Sequence, residues 1–371
     1  MIIGIPKEVK QGEGRVAATP DLVVELVASG NRVLIEHGAG DASGFLDASY
    51  VDAGAQLVAQ DEVWSRSDLV MKVKEPIEAE FHYFRPGLAV FCFLHLAAAP
   101  ELRAKLVEQH VTALAFETLT VEGRLPILEP MSAIAGRLSG LWGAFLLQRM
   151  QGGKGILLGG LPGLHGARVL VLGGGTVGYH AADVAQGLRA YVTISEPSAE
   201  RVVALRGMLR DPFAVLDGSP ADVAQAAIDA DVIIGAVLVP GASAPMLIDE
   251  QTVARMQAGS VICDVAIDQG GCIETSRPTT HSEPTFVKHG VVHQCITNLP
   301  SAAVRDATQA LVNALGPYVK SLTSAGIDSA IERDPAIATS VNVRGGQIVH
   351  PALLDTSSRR ATSLIGGATH A

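Results

Sequence analysis

Short apolar segments alternate with amphipathic segments along the first 120 residues. The residues 20–29 predict a helix, because Thr19 can cap it, Pro20 suits its first turn and Gly30 ends it. Strands that alternate with helices are typical of a parallel sheet with helices on both faces. The apolar segments predict strands at 2–5, 32–36, 69–74, 89–94 and 111–116.

The same alternation returns over residues 168–297, between two longer helical patterns. Residues 130–150 predict a long, mostly apolar helix that links two domains, and Asn298–Ser301 introduces a second one that extends to about Leu322. The remaining tail is expected to add helices and to end loosely in RRATSLIGGATHA.

The sequence therefore predicts an α/β fold with two Rossmann-like, doubly wound parallel-sheet domains separated by a cleft. A discontinuous domain would comprise residues 1–129 and 306–371, and a second domain would comprise residues 130–305.

A glycine-rich loop at the middle of the chain follows an apolar strand. Residues 168–178, RVLVLGGGTVG, join that strand to a helical pattern over residues 179–188. The next apolar segment, residues 191–194, is followed by Glu196. Strand, glycine turn, helix, strand and acid in this order are the fingerprint of dinucleotide binding. The domain of residues 130–305 is therefore predicted to bind NAD, and the discontinuous domain of residues 1–129 and 306–371 is predicted to be the substrate or catalytic domain.

Each residue of this fingerprint has a physical role. Gly173 permits the tight turn, Gly175 lets the backbone approach a pyrophosphate, and Gly178 lets the helix pack close to the strand. The helix amino terminus attracts the phosphates. Glu196 would bind the ribose hydroxyls.

The composition excludes several classes of protein. The chain of 371 residues is long for one hydrophobic core. Its content of 48% hydrophobic and 18% charged residues is typical of a folded globular protein. A net charge of −10 without a run of lysines or arginines argues against nucleic acid and acidic membranes as partners. We expect a cytoplasmic protein, because no targeting or membrane-spanning segment is seen and the four scattered cysteines suit buried thiols.

Four polar residues fall where predicted parallel strands end, the edge at which open parallel sheets bind ligands. Arg15 follows the first strand, Lys74 and His95 end DLVMKVKEP and LAVFCFLHLA, and Asp268 ends VICDVAIDQGG. An arginine matches a carboxylate and a lysine polarises a carbonyl oxygen. A histidine exchanges a proton near neutral pH, and an aspartate orients it or activates water.

Each of these residues also has a purely structural interpretation. Arg15 could be a solvated loop arginine, His95 a core histidine with satisfied hydrogen bonds, and Asp268 a cap of the following turn. Lys72 and Lys74 would share one face of their strand, so alternation does not separate them. No spacing of Cys, His and Asp resembles a metal site.

Several motifs together resemble the L-alanine dehydrogenase family, nearly from end to end. They are IGIPKE, Arg15-Val-Ala, LVMKVKEP, FLHLA, PMSAIAGRLS, GGGTVG, GAVLVPG, VAIDQGGC and SRPTT. The related subunit of proton-translocating transhydrogenase shares PKE, RVAATP and LVPG but typically lacks the FLHLA histidine. The sequence therefore favours the dehydrogenase.

The resemblance implies reversible oxidative deamination of L-alanine by NAD to pyruvate, ammonia and NADH. It implies that Arg15 and Lys74 bind the substrate carboxylate and keto oxygen, that His95 is the general acid/base, and that Asp268 activates water or ammonia. The cofactor contacts that it implies are Ser132, Gly173, Gly175, Thr176, Val177, Gly178, Glu196, Arg201, Val237, Leu238, Val265, Ala266, Ile267, Asp268, Ile296, Thr297, Asn298 and Leu299.

Some positions depart from the family pattern. Glu196 stands where the family usually has aspartate, but it still binds ribose hydroxyls and repels a 2′-phosphate, so NAD rather than NADP is expected. The adenine-side serine falls near Gly218–Ser219. Residues 320–326, KSLTSAG, replace a metal-binding Glu and His of some members, so no metal is expected there. The family suggests a homohexamer, with the helix at 131–150 as a buried contact.

Three alternative functions stay open. The chain could be a subunit that binds NAD(H) and passes hydride to a partner domain, although Lys74, His95 and the lack of a transmembrane tail argue against it. It could be a dehydrogenase for another small amino acid, or a lyase that uses NAD internally, such as an ornithine cyclodeaminase-like enzyme. It could also be an enzyme descendant retained for binding, which four intact candidate residues disfavour.

Overall fold

The computed structural model describes residues 1–210, 212–238 and 244–354. The chain divides into two compact units, unit 1 (Met1–Met131 with Ala303–Ala371) and unit 2 (Ser132–Ala302). The sequence placed the corresponding boundaries two and three residues away, between 129 and 130 and between 305 and 306. The loose end expected for RRATSLIGGATHA and the last three residues of GAVLVPG lie outside the described residues.

The described residues form strands and helices in the following order along the chain. The strands are β1 (Ile2–Ile5), β2 (Arg32–Glu36), β3 (Gln56–Val58), β4 (Leu69–Met71), β5 (Ala89–Cys92), β6 (Thr112–Ala115), β7 (Arg168–Leu172), β8 (Tyr191–Ser195), β9 (Ala214–Leu216), β10 (Val232–Gly235), β11 (Val261–Asp264), β12 (Thr285–Lys288), β13 (Val291–Gln294), β14 (Val341–Arg344) and β15 (Gln347–Ile348). The α-helices are α1 (Pro20–Ala28), α2 (Asp47–Asp52), α3 (Gln60–Arg66), α4 (Pro100–Glu108), α5 (Glu129–Leu146), α6 (Thr176–Gly187), α7 (Ala199–Met208), α8 (Pro220–Asp229), α9 (Glu250–Arg255), α10 (Val304–Ala325), α11 (Ile327–Arg333) and α12 (Pro335–Ser340).

Unit 1 is built on one sheet with the strand order β15-β14-β6-β5-β4-β1-β2-β3. The strands β1 to β6 are parallel, β14 pairs antiparallel with β6, and β15 pairs antiparallel with β14 at the edge of the sheet. Because β1 lies between β2 and β4, the strand order reverses between β1 and β4. Open α/β sheets bind their ligands outside the carboxyl ends of the strands at such a reversal.

Unit 2 has its own sheet, with the order β12-β13-β11-β10-β7-β8-β9. Its strands are parallel except for β12, which pairs antiparallel with β13. The order reverses here between β7 and β10. The prediction of two doubly wound, parallel-dominated sheets is thereby confirmed.

The packing of the core of unit 2 explains why its central strands are nearly continuous apolar segments in the sequence. Val169 and Val171 of β7 pack on one face of the sheet with Ala181 of α6. Leu170 and Leu172 pack on the opposite face, in a cluster that also contains Val223 of α8. Since both faces are covered by helices, all four apolar residues of β7, 169–172, are buried.

Helix ends follow local capping. The Thr19 hydroxyl accepts a hydrogen bond from the Leu22 N–H at 3.4 Å and Pro20 begins α1, as predicted, although the helix ends at Ala28. The helix predicted from Asn298 begins as α10 at Val304, because residues 299–303 form a 3₁₀ turn first. Within the described residues, no helix has both the length and the apolar character that crossing a membrane requires.

Candidate functional site

The three candidate residues of unit 1 follow adjacent strands. Arg15 lies in the segment after β1, Lys74 follows β4, and His95 follows β5. The strands β5, β4 and β1 are neighbours, so their carboxyl ends meet at one edge of the sheet, next to the reversal of strand order. The predicted strands 69–74 and 89–94 were too long, since β4 ends at Met71 and β5 at Cys92.

Arg15 is 2% exposed and is therefore not a solvated loop arginine. Its Nε and Nη2 donate to the two carboxylate oxygens of Glu13 at 2.8 and 2.6 Å, and its Nη1 lies 3.0 Å from the Met131 Sδ. A bidentate pair of this kind fixes the plane of the guanidinium as well as its position. Glu13, which the sequence reasoning did not single out, thus orients Arg15.

Two lysines that alternation could not separate differ sharply in their surroundings. Lys72 is 1% exposed, and its Nζ lies 2.5 and 2.6 Å from the two carboxylate oxygens of Glu80. Burial lowers the pKa of Lys72, but Glu8 and Glu80 raise it more, so the ammonium is retained. Lys74 is half-buried. Since Lys72 is almost fully buried and Lys74 is half-buried, Lys74 is the more accessible candidate for substrate binding.

Glu8 is a buried carboxyl group at the reversal point of unit 1. Its side chain is 3% exposed, and its Oε1 accepts a hydrogen bond from the Val73 N–H at 2.6 Å. Its Oε2 lies 3.9 Å from the Lys72 Nζ and has no hydrogen-bond partner among the described residues. Burial raises the pKa of Glu8 to about 7, although Lys72 and the Val73 N–H oppose the rise. Glu8 is therefore a proton-holding group next to the segment that carries Lys74.

His95 is exposed, so the interpretation as a core histidine is wrong. Its backbone has φ 48, a left-handed conformation that is uncommon outside glycine. Its ring stacks on Phe93 with a centroid distance of 6.0 Å and an interplanar angle of 8°. Strained backbone at a solvent-accessible, ring-supported histidine is typical of a functional position.

The glycine loop of unit 2 has the geometry that its spacing predicts. Gly173 has φ 95, in the region that favours glycine. A Cβ on Gly178 would lie 1.9 Å from the Gly173 carbonyl oxygen, so α6 can approach β7 only without a side chain there. A Cβ on Gly175 would meet open space, and Gly175 caps α6 without a side chain. The first N–H groups of α6 are thus exposed to a phosphate that approaches the loop.

Glu196 and Arg201 both contact this loop. The Glu196 carboxylate follows β8 and accepts hydrogen bonds from the Gly174 N–H at 2.9 Å and the Ser198 N–H at 2.8 Å. The Arg201 Nε, in the first turn of α7, donates to the Gly174 carbonyl oxygen. These contacts bring the predicted ribose-binding acid to the edge of the predicted pyrophosphate site.

The other predicted cofactor segments of unit 2 lie along the same edge of its sheet. They follow the strands β10, β11 and β13, which continue the row that begins with β8 and β7. These segments are 237–238, 265–268 and 296–299. All of them therefore meet at the edge where a doubly wound sheet binds a nucleotide.

Asp264 supports the segment that carries Asp268. It is the last residue of β11, and its carboxylate accepts hydrogen bonds from the N–H groups of Ala266 and Cys272, each at 3.1 Å. Burial raises the pKa of Asp264. The strand ends here in a 3₁₀ turn, Val265–Gln269, that leaves Asp268 exposed, so Asp268 does not end the strand as predicted.

Three further predicted positions border the glycine loop or its neighbours. Ser132 lies one turn before Gly136 on α5, and a Cβ on Gly136 would lie 2.3 Å from the Val177 carbonyl oxygen. A Cβ on Gly218 would lie 3.5 Å from the Pro197 Cβ, which places the predicted adenine side beside the end of β8. Asn298 has the left-handed φ 61, and its carbonyl oxygen accepts a hydrogen bond from the Ser301 N–H at 3.1 Å.

Four acids near these positions were not predicted. Glu8, Glu117 and Asp264 each lie at or within three residues after the end of an apolar strand, and Glu13 lies two residues before Arg15. The sequence signal that could have identified the first three of them is an acidic residue at or shortly after the end of an apolar segment. In the described part of the chain, no group of three or more His, Cys, Asp or Glu side chains could hold a metal ion. The absence of a metal at residues 320–326 stays a prediction.

Comparison with known proteins relates the whole chain to one family. The family model described as alanine dehydrogenase/PNT, N-terminal domain, matches residues 4–135, and the C-terminal domain model matches residues 139–351. The alanine dehydrogenase of Bacillus subtilis (strain 168) is 46% identical over 355 residues, which are 95% of this chain and 94% of that protein.

Solved structures give the same result. A structure named L-alanine dehydrogenase has a TM-score of 0.92 at 46% identity and covers 97% of this chain and 99% of its own. A transhydrogenase from Sinorhizobium meliloti has a TM-score of 0.79 at 23% identity, with 95% of this chain and 100% of that chain covered. At this identity the second structure shows a shared fold alone.

Proposed function

The chain belongs to the alanine dehydrogenase/PNT family, and we propose that it catalyses the reversible oxidative deamination of L-alanine to pyruvate and ammonia with NAD. The observation that carries this proposal is the placement of Arg15, Lys74 and His95 after three adjacent strands of unit 1. An anchor for a carboxylate, a partner for a carbonyl oxygen and a proton-exchanging group are what an amino acid and its oxo acid require.

Arg15 and Lys74 would bind the substrate carboxylate and the keto oxygen. The buried, pre-oriented guanidinium of Arg15 supports its role, because little side-chain freedom is left to lose when an anion binds. The burial of Lys72 and the greater exposure of Lys74 support the choice of Lys74. Together the two cations would orient the α-carbon, a positioning effect that can contribute several kcal/mol.

His95 would exchange protons during the steps that follow oxidation. Bound NAD supplies the nicotinamide ring that accepts hydride from the alanine α-carbon. Water adds to the resulting iminium, and the carbinolamine then loses ammonia to give pyruvate. His95 would remove and return the protons of these two steps, and Asp268 would activate the water or ammonia. The exposure of both side chains supports these roles.

Unit 2 would bind NAD. The open space at Gly175 and the amino terminus of α6, to which Gly175 supplies no side-chain hydrogen-bond acceptor, fit a pyrophosphate. Glu196 beside Gly174 fits two ribose hydroxyls, and its negative charge would repel a 2′-phosphate. We therefore propose NAD rather than NADP. Glu196 would exchange its backbone contact for the ribose when the nucleotide binds.

We also propose that the chain forms a homo-oligomer, a hexamer by analogy with its family, in the cytoplasm. Three leucines between α5 and β7 support the oligomer, since Leu157, Leu161 and Leu164 are 60, 56 and 66% exposed and side chains of this kind are typical of protein interfaces. The four cysteines are all buried free thiols, which suits a reducing compartment.

The test is NADH oxidation in the presence of ammonia across a panel of 2-oxo acids. We expect the highest kcat/KM with pyruvate, lower values with glyoxylate and hydroxypyruvate, and a preference for NADH over NADPH of at least about tenfold from the charge of Glu196. NADH binding without an oxo-acid-dependent rate would contradict the proposal and favour a redox subunit. A higher kcat/KM with another oxo acid would favour a different small amino acid.

A further inference from the structure

Glu117 is a carboxylate outside the predicted site that contacts the turn bearing His95. It lies in the 3₁₀ turn Phe116–Thr118 directly after β6, the strand that pairs with β5. Its Oε1 accepts a hydrogen bond from the His95 N–H at 2.7 Å, and its Oε2 accepts one from the Leu94 N–H at 3.1 Å. One side chain therefore takes two consecutive backbone donors of the segment that follows β5.

These two hydrogen bonds act where the backbone departs from a relaxed conformation. His95 has φ 48, which a non-glycine residue keeps only if its surroundings hold it. Consecutive N–H groups directed at one anion form an anion-binding concavity, and hydrogen bonds to a charged acceptor are stronger than those between neutral groups. The Glu117 carboxylate is thus suited to hold the left-handed turn.

The same 3₁₀ turn also supports the His95 ring. Phe116 contacts Phe93 edge to face at a centroid distance of 5.1 Å, and Phe93 stacks on the His95 ring at 6.0 Å. The His95 carbonyl oxygen accepts a hydrogen bond from the Ala98 N–H at 2.9 Å. The 3₁₀ turn after β6 therefore contacts the His95 backbone through Glu117 and supports the His95 ring through Phe93.

We infer that Glu117 is a positioning residue for His95, an inference that rests on the proposed function. It touches neither substrate nor cofactor in this role. Instead, it holds the His95 main chain so that the imidazole stands where protons are exchanged. A carboxylate that merely stabilised the β5–β6 pair would affect folding without a selective effect on turnover.

Amide hydrogen exchange tests the turn directly, in the wild-type protein and without a substrate. The Leu94 and His95 amides lie beyond β5, and we expect them to be protected from exchange nonetheless. In Glu117→Gln one acceptor oxygen is replaced by an NH₂ group, so exchange at these amides should rise by about tenfold or more, while Phe91 within β5 stays protected. Exchange of both amides at unprotected rates in the wild type would overturn the inference, whether or not the variant folds.

Steady-state kinetics of the same variant test the consequence for turnover. We expect Glu117→Gln to lower kcat by about 100-fold, the loss that a misplacement of roughly 1 Å can cause, with the KM for NADH unchanged. The control is Glu101→Gln, an exposed acid in the first turn of α4, which should retain the wild-type kcat.

Comparison with His95→Ala separates the two possible failures. A wild-type kcat in Glu117→Gln, together with an inactive His95→Ala, would overturn the positioning role alone. A wild-type kcat in His95→Ala would overturn the proposed role of His95 and this inference with it, even if the exchange pattern holds.

Discussion

Glu8 shows how a single buried carboxyl group makes the folding stability of the protein depend on pH. Burial raises its pKa from the ordinary value of 4.5 to about 7, against the opposing effects of Lys72 and the Val73 N–H. A carboxyl whose pKa is higher in the folded state contributes stability that is fully present below its unfolded-state pKa and is lost as the pH rises through its folded-state pKa. The stability that Glu8 contributes is therefore lost between about pH 4.5 and pH 7.

We predict that Glu8→Gln flattens this part of the pH dependence. The difference between 4.5 and about 7 corresponds to about 3 kcal/mol that the wild type loses over this range and the variant does not. The measurement is denaturant unfolding at pH 5 and pH 8, with Glu78→Gln, an exposed acid of the same unit, as the control. An equal change in unfolding free energy for wild type and Glu8→Gln would contradict the assignment.

At the scale of elements, the sequence predicts the interior of the strands better than their ends. Apolar segments such as 169–172 are buried on both faces of a parallel sheet, so their hydrophobicity alone reveals them. The start of a helix is equally predictable where the capping residue is next to it in sequence, as with Thr19 at α1. These features gave the fold class and the edge where the candidate residues lie.

The ends of the strands depend on contacts between residues that are distant in sequence. The strand predicted to reach Lys74 ends at Met71, and the Val73 N–H is bound by Glu8, 65 residues earlier. The N–H groups of Leu94 and His95 are likewise bound by Glu117, 23 and 22 residues later. The alternation of apolar and polar residues contains no information about such partners. It also places Lys72 and Lys74 on the same face of a strand, so it could not separate them.

The β7–α6 element gives a prediction with an internal control. Gly178→Ala would place a Cβ 1.9 Å from the Gly173 carbonyl oxygen, so α6 must shift away from the loop. We expect a lower melting temperature and a Kd for NADH raised at least about tenfold, since a misplacement of about 1 Å can cost about 100-fold.

Gly187→Ala lies at the other end of the same helix, where a Cβ would meet open space. That variant should bind NADH normally and melt at the same or a slightly higher temperature, because alanine favours a helix over glycine by about 1 kcal/mol. Equal behaviour of the two variants, measured by calorimetry and NADH titration, would contradict the close packing of α6 on the loop.

At the scale of the whole molecule, the candidate residues divide between the two units. Arg15, Lys74 and His95 belong to unit 1, whereas the glycine loop and Glu196 belong to unit 2. Asp268 is the exception, since it is a candidate for proton chemistry that unit 2 carries. This division was visible in the sequence because the glycine loop begins only at residue 173, after a complete series of strands and helices.

The division predicts that nucleotide binding and turnover respond separately to substitution, and His95→Ala tests this claim most directly. The measurement compares kcat for alanine-dependent NAD reduction with the Kd for NADH from fluorescence titration. We predict a kcat lowered by at least about 100-fold, as expected for loss of a general acid/base, and an unchanged Kd. A wild-type kcat in this variant would contradict the account.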